Sequence, residues 1–80
     1  MHIKILGRGR CRYCKILVDR THKAVEHIQV NVTIERIEDP HEIYSYGILA
    51  TPILIIDDTV VCQGKVPPVD TLKDLILRRN

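Results

Sequence analysis

The sequence predicts a small α/β domain with its elements in the order β-α-β-α-β-β-α. Three observations carry this. Short runs of β-branched residues recur at strand length, longer stretches repeat their apolar residues every three or four positions, and Gly, Pro and Asp gather between them. Eighty residues make one domain, 1–80, without room for a second core. A chain this short buries only about 60% of its unfolded surface, so its packing must be efficient. Val, Ile and Leu supply about a third of the residues, well above the ~20% below which disorder is expected. Most of these are β-branched, and Phe and Trp are missing. That composition favours a sheet covered by helices over an aromatic binding platform.

The first strand is His2-Ile3-Lys4-Ile5-Leu6, which alternates polar and apolar before turning apolar. Gly7-Arg8-Gly9-Arg10 follows as a loop, its glycines permitting backbone angles that other residues resist. From Arg12 to about Ile28, Cys14, Leu17, Val18, Thr21, Ala24, Val25 and Ile28 fall on one helical face, and Asn31 is the expected break. Val32 to Ile37 alternates as a second strand. Asp39-Pro40-His41-Glu42 is a helix start with a capping aspartate and a proline at the first helical position, and Gly47 is its stop. Pro52 to Ile56 is apolar throughout and reads as a strand buried on both faces. Asp57-Asp58 turns the chain into a hairpin with Thr59 to Cys62. After Gly64 and Pro67-Pro68, Val69, Leu72, Leu75 and Ile76 stripe a last helix, whose C-terminal dipole Arg78 and Arg79 complement. The opening β-α-β implies a parallel pair with a right-handed crossover, and the hairpin adds antiparallel strands, so the sheet is mixed.

The apolar run after Met1 is too short for a signal segment or a membrane span. The expected protein is soluble and cytoplasmic, without a membrane partner. Cysteines in that compartment are normally reduced, so a close pair points to catalysis, redox sensing or metal binding. Net charge is only +2, but residues 1–23 hold seven Lys or Arg against the single acid Asp19. The positive end of the chain is the end that holds Cys11 and Cys14.

Cys11 falls where the glycine loop meets the first helix, and Cys14 lies one turn inside. At that spacing two Cα atoms stand roughly 5–6 Å apart, which a disulfide tolerates. Thiol-disulfide exchange needs this arrangement: one thiolate attacks a substrate disulfide, and a second must be near enough to resolve the mixed disulfide. Unpaired N–H groups at a helix start and nearby cations lower a thiol pKa from its free value of about 8.5. Arg8, Arg10, Arg12 and Lys15 are the expected cations. Cys11 is therefore assigned as nucleophile and Cys14, on the apolar face, as resolving thiol. Cys62 reads as a buried strand residue acting as a small hydrophobe.

Zinc is the rival reading, since C-x-x-C is also half a zinc site. A second C-x-x-C is missing, and His2, His22, His27 and His41 are scattered. Two further alternatives stay open: soft-metal binding or delivery, of zinc or copper, through the same sulfurs, and a non-catalytic adaptor. The Gly7-Arg8-Gly9-Arg10 loop lacks the third glycine of a dinucleotide fingerprint and the Lys-Ser/Thr of a P-loop. With three tyrosines as the whole aromatic content, nucleic-acid binding is not expected.

A strand running into Gly-x-Gly, C-x-x-C opening a long helix, a short helix ending in Tyr46-Gly47, Thr51-Pro52 opening a buried strand, and Gly64-Lys65-Val66-Pro67 before the last helix resemble the thioredoxin superfamily. The chain is most similar to its small thioredoxin- and glutaredoxin-like redox-active disulfide proteins. The resemblance implies a three-layer α/β/α fold with a four-stranded mixed sheet and thiol-disulfide oxidoreductase activity without a cofactor. It implies electron exchange with protein or low-molecular-weight disulfides, disulfide-containing protein partners, and either a reductase, such as a flavoprotein, or glutathione as electron donor. A monomer is expected. It further implies that Pro52 is cis and faces the cysteines, and that Thr51 offers its backbone to an extended substrate, with Tyr13 beside it. Three departures stand out. Arg10 is one residue more than the usual Gly-x-Gly-Cys loop carries. Arg12-Tyr13 replaces the Pro-Tyr common in glutaredoxins and the Gly-Pro of thioredoxins, with Tyr13 leaning toward the former. The buried acid that thioredoxins place before the cysteines has no counterpart in Ile3 to Leu6.

Overall fold

A computed structural model of the chain describes residues 1–7, 11–47 and 50–78. Seven elements follow in the predicted order: β1 (His2–Leu6), α1 (Arg12–Ile28), β2 (Thr33–Ile37), α2 (Pro40–Ser45), β3 (Ile53–Ile56), β4 (Thr59–Gln63) and α3 (Val69–Arg78). The strands form one mixed sheet in the order β2-β1-β3-β4. With α1 as the crossover, β1 and β2 run parallel, His2 opposite Thr33 and Leu6 opposite Ile37. β3 is antiparallel to β1, pairing Ile3 with Ile56 and Leu6 with Ile53. Asp57 and Asp58 make the β3–β4 turn at φ 46° and 67°, the left-handed pair that a two-residue hairpin turn requires.

Alternation along the strands divides the apolar residues between two layers. Ile3, Ile5, Leu54 and Ile56 pack against Leu17 and Ala24 of α1 and Leu72 and Ile76 of α3. Leu6, Ile37, Ile53 and Ile55 face the other way, toward Ile43 of α2 and Tyr46. The three-layer α/β/α arrangement follows, and β3 is apolar throughout because both of its faces are covered. The buried face of α1 is Cys14, Leu17, Thr21 and Ala24, all from the predicted stripe. Thr21 is polar and buried, but its hydroxyl donates to the Leu17 carbonyl at 2.7 Å, so nothing is left unsatisfied. Asp39 caps α2 by accepting from the His41 N–H at 3.0 Å, and Gly47 leaves the helix at φ 72°. Among the described residues, no helix is long and apolar enough to cross a membrane.

Three local expectations shift. α1 ends at Ile28 as expected, but the residue that stops it is Gln29, in the left-handed region at φ 52° with its N–H returned to the Val25 carbonyl, two residues before Asn31. Pro52 stands just outside β3. In β4, Leu54 pairs with Cys62 but Ile55 pairs with Val60, so Val61 is the extra residue of a β-bulge. Val61 and Cys62 both lean on the larger core as a result. Cys62, expected to be buried, is only partly covered on this edge strand, its thiol 3.8 Å from the Lys65 carbonyl oxygen.

Candidate functional site

β1 delivers the chain through Gly7 toward the start of α1. The expected pKa-tuning residues Arg8 and Arg10 lie outside the described residues, with Gly9. Cys11 occupies the cap position of α1 in extended conformation, and its Sγ accepts the backbone N–H of Cys14 at 3.1 Å. A serine or aspartate oxygen usually does this; here a sulfur takes one of the N–H groups that a helix start leaves over. The Cys11 carbonyl accepts from the Lys15 N–H at 3.3 Å. The first turn of α1 contains no acid, so no carboxylate competes for the positive end of the helix dipole. Arg12 and Lys15 stand exposed beside it.

Cys11 and Cys14 are joined in a disulfide, with Cα atoms 5.2 Å apart. Cys11 is partly exposed, whereas Cys14 is fully buried. Behind Cys14 sits Gly7, pinned to the sheet edge by its N–H on the Ile37 carbonyl at 3.0 Å. A Cβ built on Gly7 would lie 2.9 Å from the Cys14 Cβ and on top of its Sγ. Gly7 does not adopt a positive φ. Its role is to let Cys14 approach the end of β1, a steric requirement rather than the conformational freedom expected from sequence.

Tyr13, Thr51, Pro52, Gly64 and Val66 line a cleft of about 220 Å³. Sequence reading named the first three of these and missed the last two. The Thr51-Pro52 bond is cis. Pro52 is buried and Thr51 partly so, while Tyr13, between the two cysteines in sequence, is 63% exposed. Gly64, at φ 66°, donates its N–H to the Pro52 carbonyl at 2.8 Å. This fastens the end of β4 to the approach of β3.

A second fastening was not foreseen. From the middle of α1, Arg20 donates its Nη1 to the Val66 carbonyl at 3.0 Å and reaches the Pro67 carbonyl at 3.4 Å. The Val66 wall of the cleft is thereby tied to the helix that carries the cysteines. The only sequence signal for Arg20 is a long cation flanking the apolar stripe of α1.

Among the described residues, no group of three or more His, Cys, Asp or Glu side chains converges to hold a metal ion. His22 and His27 are exposed on α1. A family model described as a thioredoxin domain matches residues 1–77 of the chain. The chain belongs to the thioredoxin family. It is 33% identical over 72 residues to a thioredoxin of Methanocaldococcus jannaschii, covering 90% of this chain and 81% of that protein. A thioredoxin of Methanothermobacter thermautotrophicus is 28% identical over 76 residues, with 95% and 97% covered. Among solved structures, thioredoxin 1 from the thermophilic eubacterium Thermosipho africanus superposes with a TM-score of 0.67. It covers 99% of this chain and 93% of its own at 16% identity, a likeness of fold. Thioredoxin-family membership together with the Cys11–Cys14 disulfide makes the chain a thiol-disulfide oxidoreductase.

Proposed function

We propose that the chain reduces disulfides of protein substrates, with Cys11 as nucleophile and Cys14 as resolving thiol. In the reduced protein the Cys11 thiolate attacks one sulfur of the substrate disulfide. The substrate S–S bond breaks, a Cys11–substrate mixed disulfide forms, and the departing substrate thiolate takes a proton. Cys14 then loses its proton and attacks the Cys11 Sγ. The Cys11–Cys14 disulfide forms and the second substrate thiol leaves. Two electrons pass from the protein dithiol to the substrate, and either the dithiol of a flavoprotein reductase or two molecules of glutathione, which leave as glutathione disulfide, restore the reduced state.

The observation that carries this reading is the asymmetry of the two sulfurs. The partly exposed Cys11 Sγ accepts an N–H at the positive end of a 17-residue helix, while Cys14 is fully buried one turn below. Donation to sulfur and the helix dipole both favour negative charge on the Cys11 sulfur. Arg12 and Lys15 add positive charge in the same direction, as do Arg8 and Arg10 by sequence. Thr51 supplies backbone for an extended substrate strand, with Pro52 beneath it and Tyr13 as a stacking wall.

Insulin-disulfide reduction, run in parallel with a flavoprotein reductase system and with glutathione, tests the activity and identifies the donor. Cys11→Ser abolishes turnover, whereas Cys14→Ser accumulates a mixed disulfide through Cys11. Faster alkylation of Cys14 than of Cys11 across the pH range would overturn the assignment.

A further inference from the structure

We infer that the preferred substrate disulfide lies in an acidic, extended protein segment whose carboxylates are met by Arg12, Lys15 and Lys65 around the Tyr13–Val66 cleft. This rests on the redox reading above and specifies which disulfides the site selects.

The cations come from the two chain segments that also supply cleft residues. Arg12 precedes the cleft residue Tyr13 at the start of α1, and Lys15 follows within the next turn. Lys65 stands in sequence between the cleft residues Gly64 and Val66, and it lines the adjoining groove along β4 with Val61, Cys62 and Gln63. All three side chains are exposed. Among the described residues, none of them has an acidic partner: the ion pairs are His2–Glu35, Arg36–Glu38, Lys73–Asp70 and Arg78–Asp74, all on or beside β1, β2 and α3.

The cleft lining contains no acid. On α1 the first acid is Asp19, eight residues past Cys11 and so roughly 12 Å along the axis. The rim therefore offers positive charge without internal neutralisation, around a floor made of Pro52 and walls made of Tyr13 and Val66.

An extended segment suits this layout. Its alternating side chains place an apolar residue in the cleft and carboxylates toward the cations on either side. Exposed ion pairs contribute little to affinity one at a time. Unpaired charges of one sign around a cleft instead raise the encounter rate with an oppositely charged partner, by 10-fold and upward at low salt. The selectivity is accordingly one of rate, and it is screened by salt.

The test uses the full chain in its reduced form. Its substrates are three fluorescence-quenched disulfide peptides that differ only in carrying Glu, Ser or Lys beside the cysteines, together with glutathione disulfide. At low ionic strength the Glu peptide is reduced about ten-fold faster than the Ser peptide, and the Lys peptide slowest. The differences shrink toward equality at about 0.5 M salt. Arg12→Glu and Lys65→Glu each lower the Glu-to-Lys rate ratio, and the double variant inverts it. Reading the ratio separates charge selection from any change in the intrinsic reactivity of Cys11, which moves all peptides together. Equal rates for the three peptides at low salt, or a ratio that survives the double variant, would overturn the inference. So would reduction of glutathione disulfide faster than the Glu peptide. A Ser peptide that is not reduced at all would instead sink the redox reading itself.

Discussion

Gly7→Ala adds one methyl group to the end of β1, and two opposite outcomes separate the explanations for this glycine. Because Gly7 has no positive φ, alanine is compatible with its backbone. Were conformational freedom the reason for glycine here, alanine would stabilise the protein by about 0.4–1 kcal/mol by restricting the unfolded chain. The structure predicts the reverse. The new Cβ would stand 2.9 Å from the Cys14 Cβ, where carbon atoms prefer about 3.5–4.0 Å. Neither side yields freely: Gly7 is held to Ile37, and Cys14 is buried and bonded to Cys11. Overpacking of this kind costs about 1–3 kcal/mol. At about 4–8 °C per kcal/mol for a domain of this size, a 2 kcal/mol loss lowers Tm by about 8–16 °C.

The redox state supplies an internal control. In the oxidised protein the Cys14 Sγ is fixed by its bond to Cys11, whereas in the reduced protein the thiol can rotate away and relieve part of the overlap. If about 1.4 kcal/mol of the penalty belongs to the oxidised form alone, the couple becomes about 30 mV more oxidising. Far-UV circular dichroism melts of both forms and equilibration against a glutathione buffer measure the two effects. Oxidised Gly7→Ala melting at or above the wild-type temperature would refute the steric account.

Other predictions follow from contacts farther from the sulfurs. Arg20→Ala removes charge-assisted bonds to the Val66 and Pro67 carbonyls. It lowers stability by about 1–2 kcal/mol in urea melts and raises KM for a disulfide peptide more than it lowers kcat; an unchanged KM would mean that the Val66 wall stands without it. Asp39→Ala removes the α2 cap at a cost of about 1 kcal/mol, whereas Asp39→Asn stays close to wild type in the same melts. The Lys4 ammonium donates to the Tyr46 hydroxyl at 3.4 Å. This bond and then the Tyr46 charge hold the lysine pKa above the ordinary 10.5, with weaker help from Glu35 and Asp58 against slight desolvation. The stability from this pairing is fully present below 10.5 and fades as pH rises through the higher folded value. The Lys4 side-chain resonance should titrate above 10.5 by NMR and move back toward it in Tyr46→Phe.

The element order, the stripe of α1 and the sulfur-bearing helix start were legible because each is encoded locally, by periodicity, by caps and by a three-residue spacing. What escaped was the set of contacts that join residues distant in sequence. The overlap that excludes a side chain at Gly7 exists only once β1 and α1 are docked. Arg20 reaches carbonyls 46 and 47 residues away, and nothing in its neighbourhood in the chain distinguishes it from a solvated arginine. Gly64 and Val66 join the cleft because the β3–β4 hairpin folds back beside Pro52. Cys62 reads as buried because a free cysteine in a strand behaves as a small hydrophobe. It does lean on the larger core, but β4 is an edge strand, a place set by the sheet order and not by the local sequence, and its thiol is only partly covered. Thr51-Pro52 is intermediate: its residue types are visible, but the cis bond was expected from family resemblance, since only about 5–6% of X-Pro bonds are cis.

The domain's small size bears on how it can open its disulfide and stay folded. At roughly 0.05–0.15 kcal/mol per residue, a chain of this length has about 4–12 kcal/mol of stability in total. A disulfide closing a long loop would supply a large part of that, and cleaving it would threaten the fold. The Cys11–Cys14 link closes only the first turn of α1. By loop closure alone that contributes about 2 kcal/mol, against about 3 for a 15-residue loop. The fold is instead held by the turns of α1 beyond the cysteines, where Leu17 and Ala24 pack against the sheet and α3. The helix thus separates its two duties along its length. Its first turn carries the bond that breaks and reforms, and the later turns carry the packing that must not.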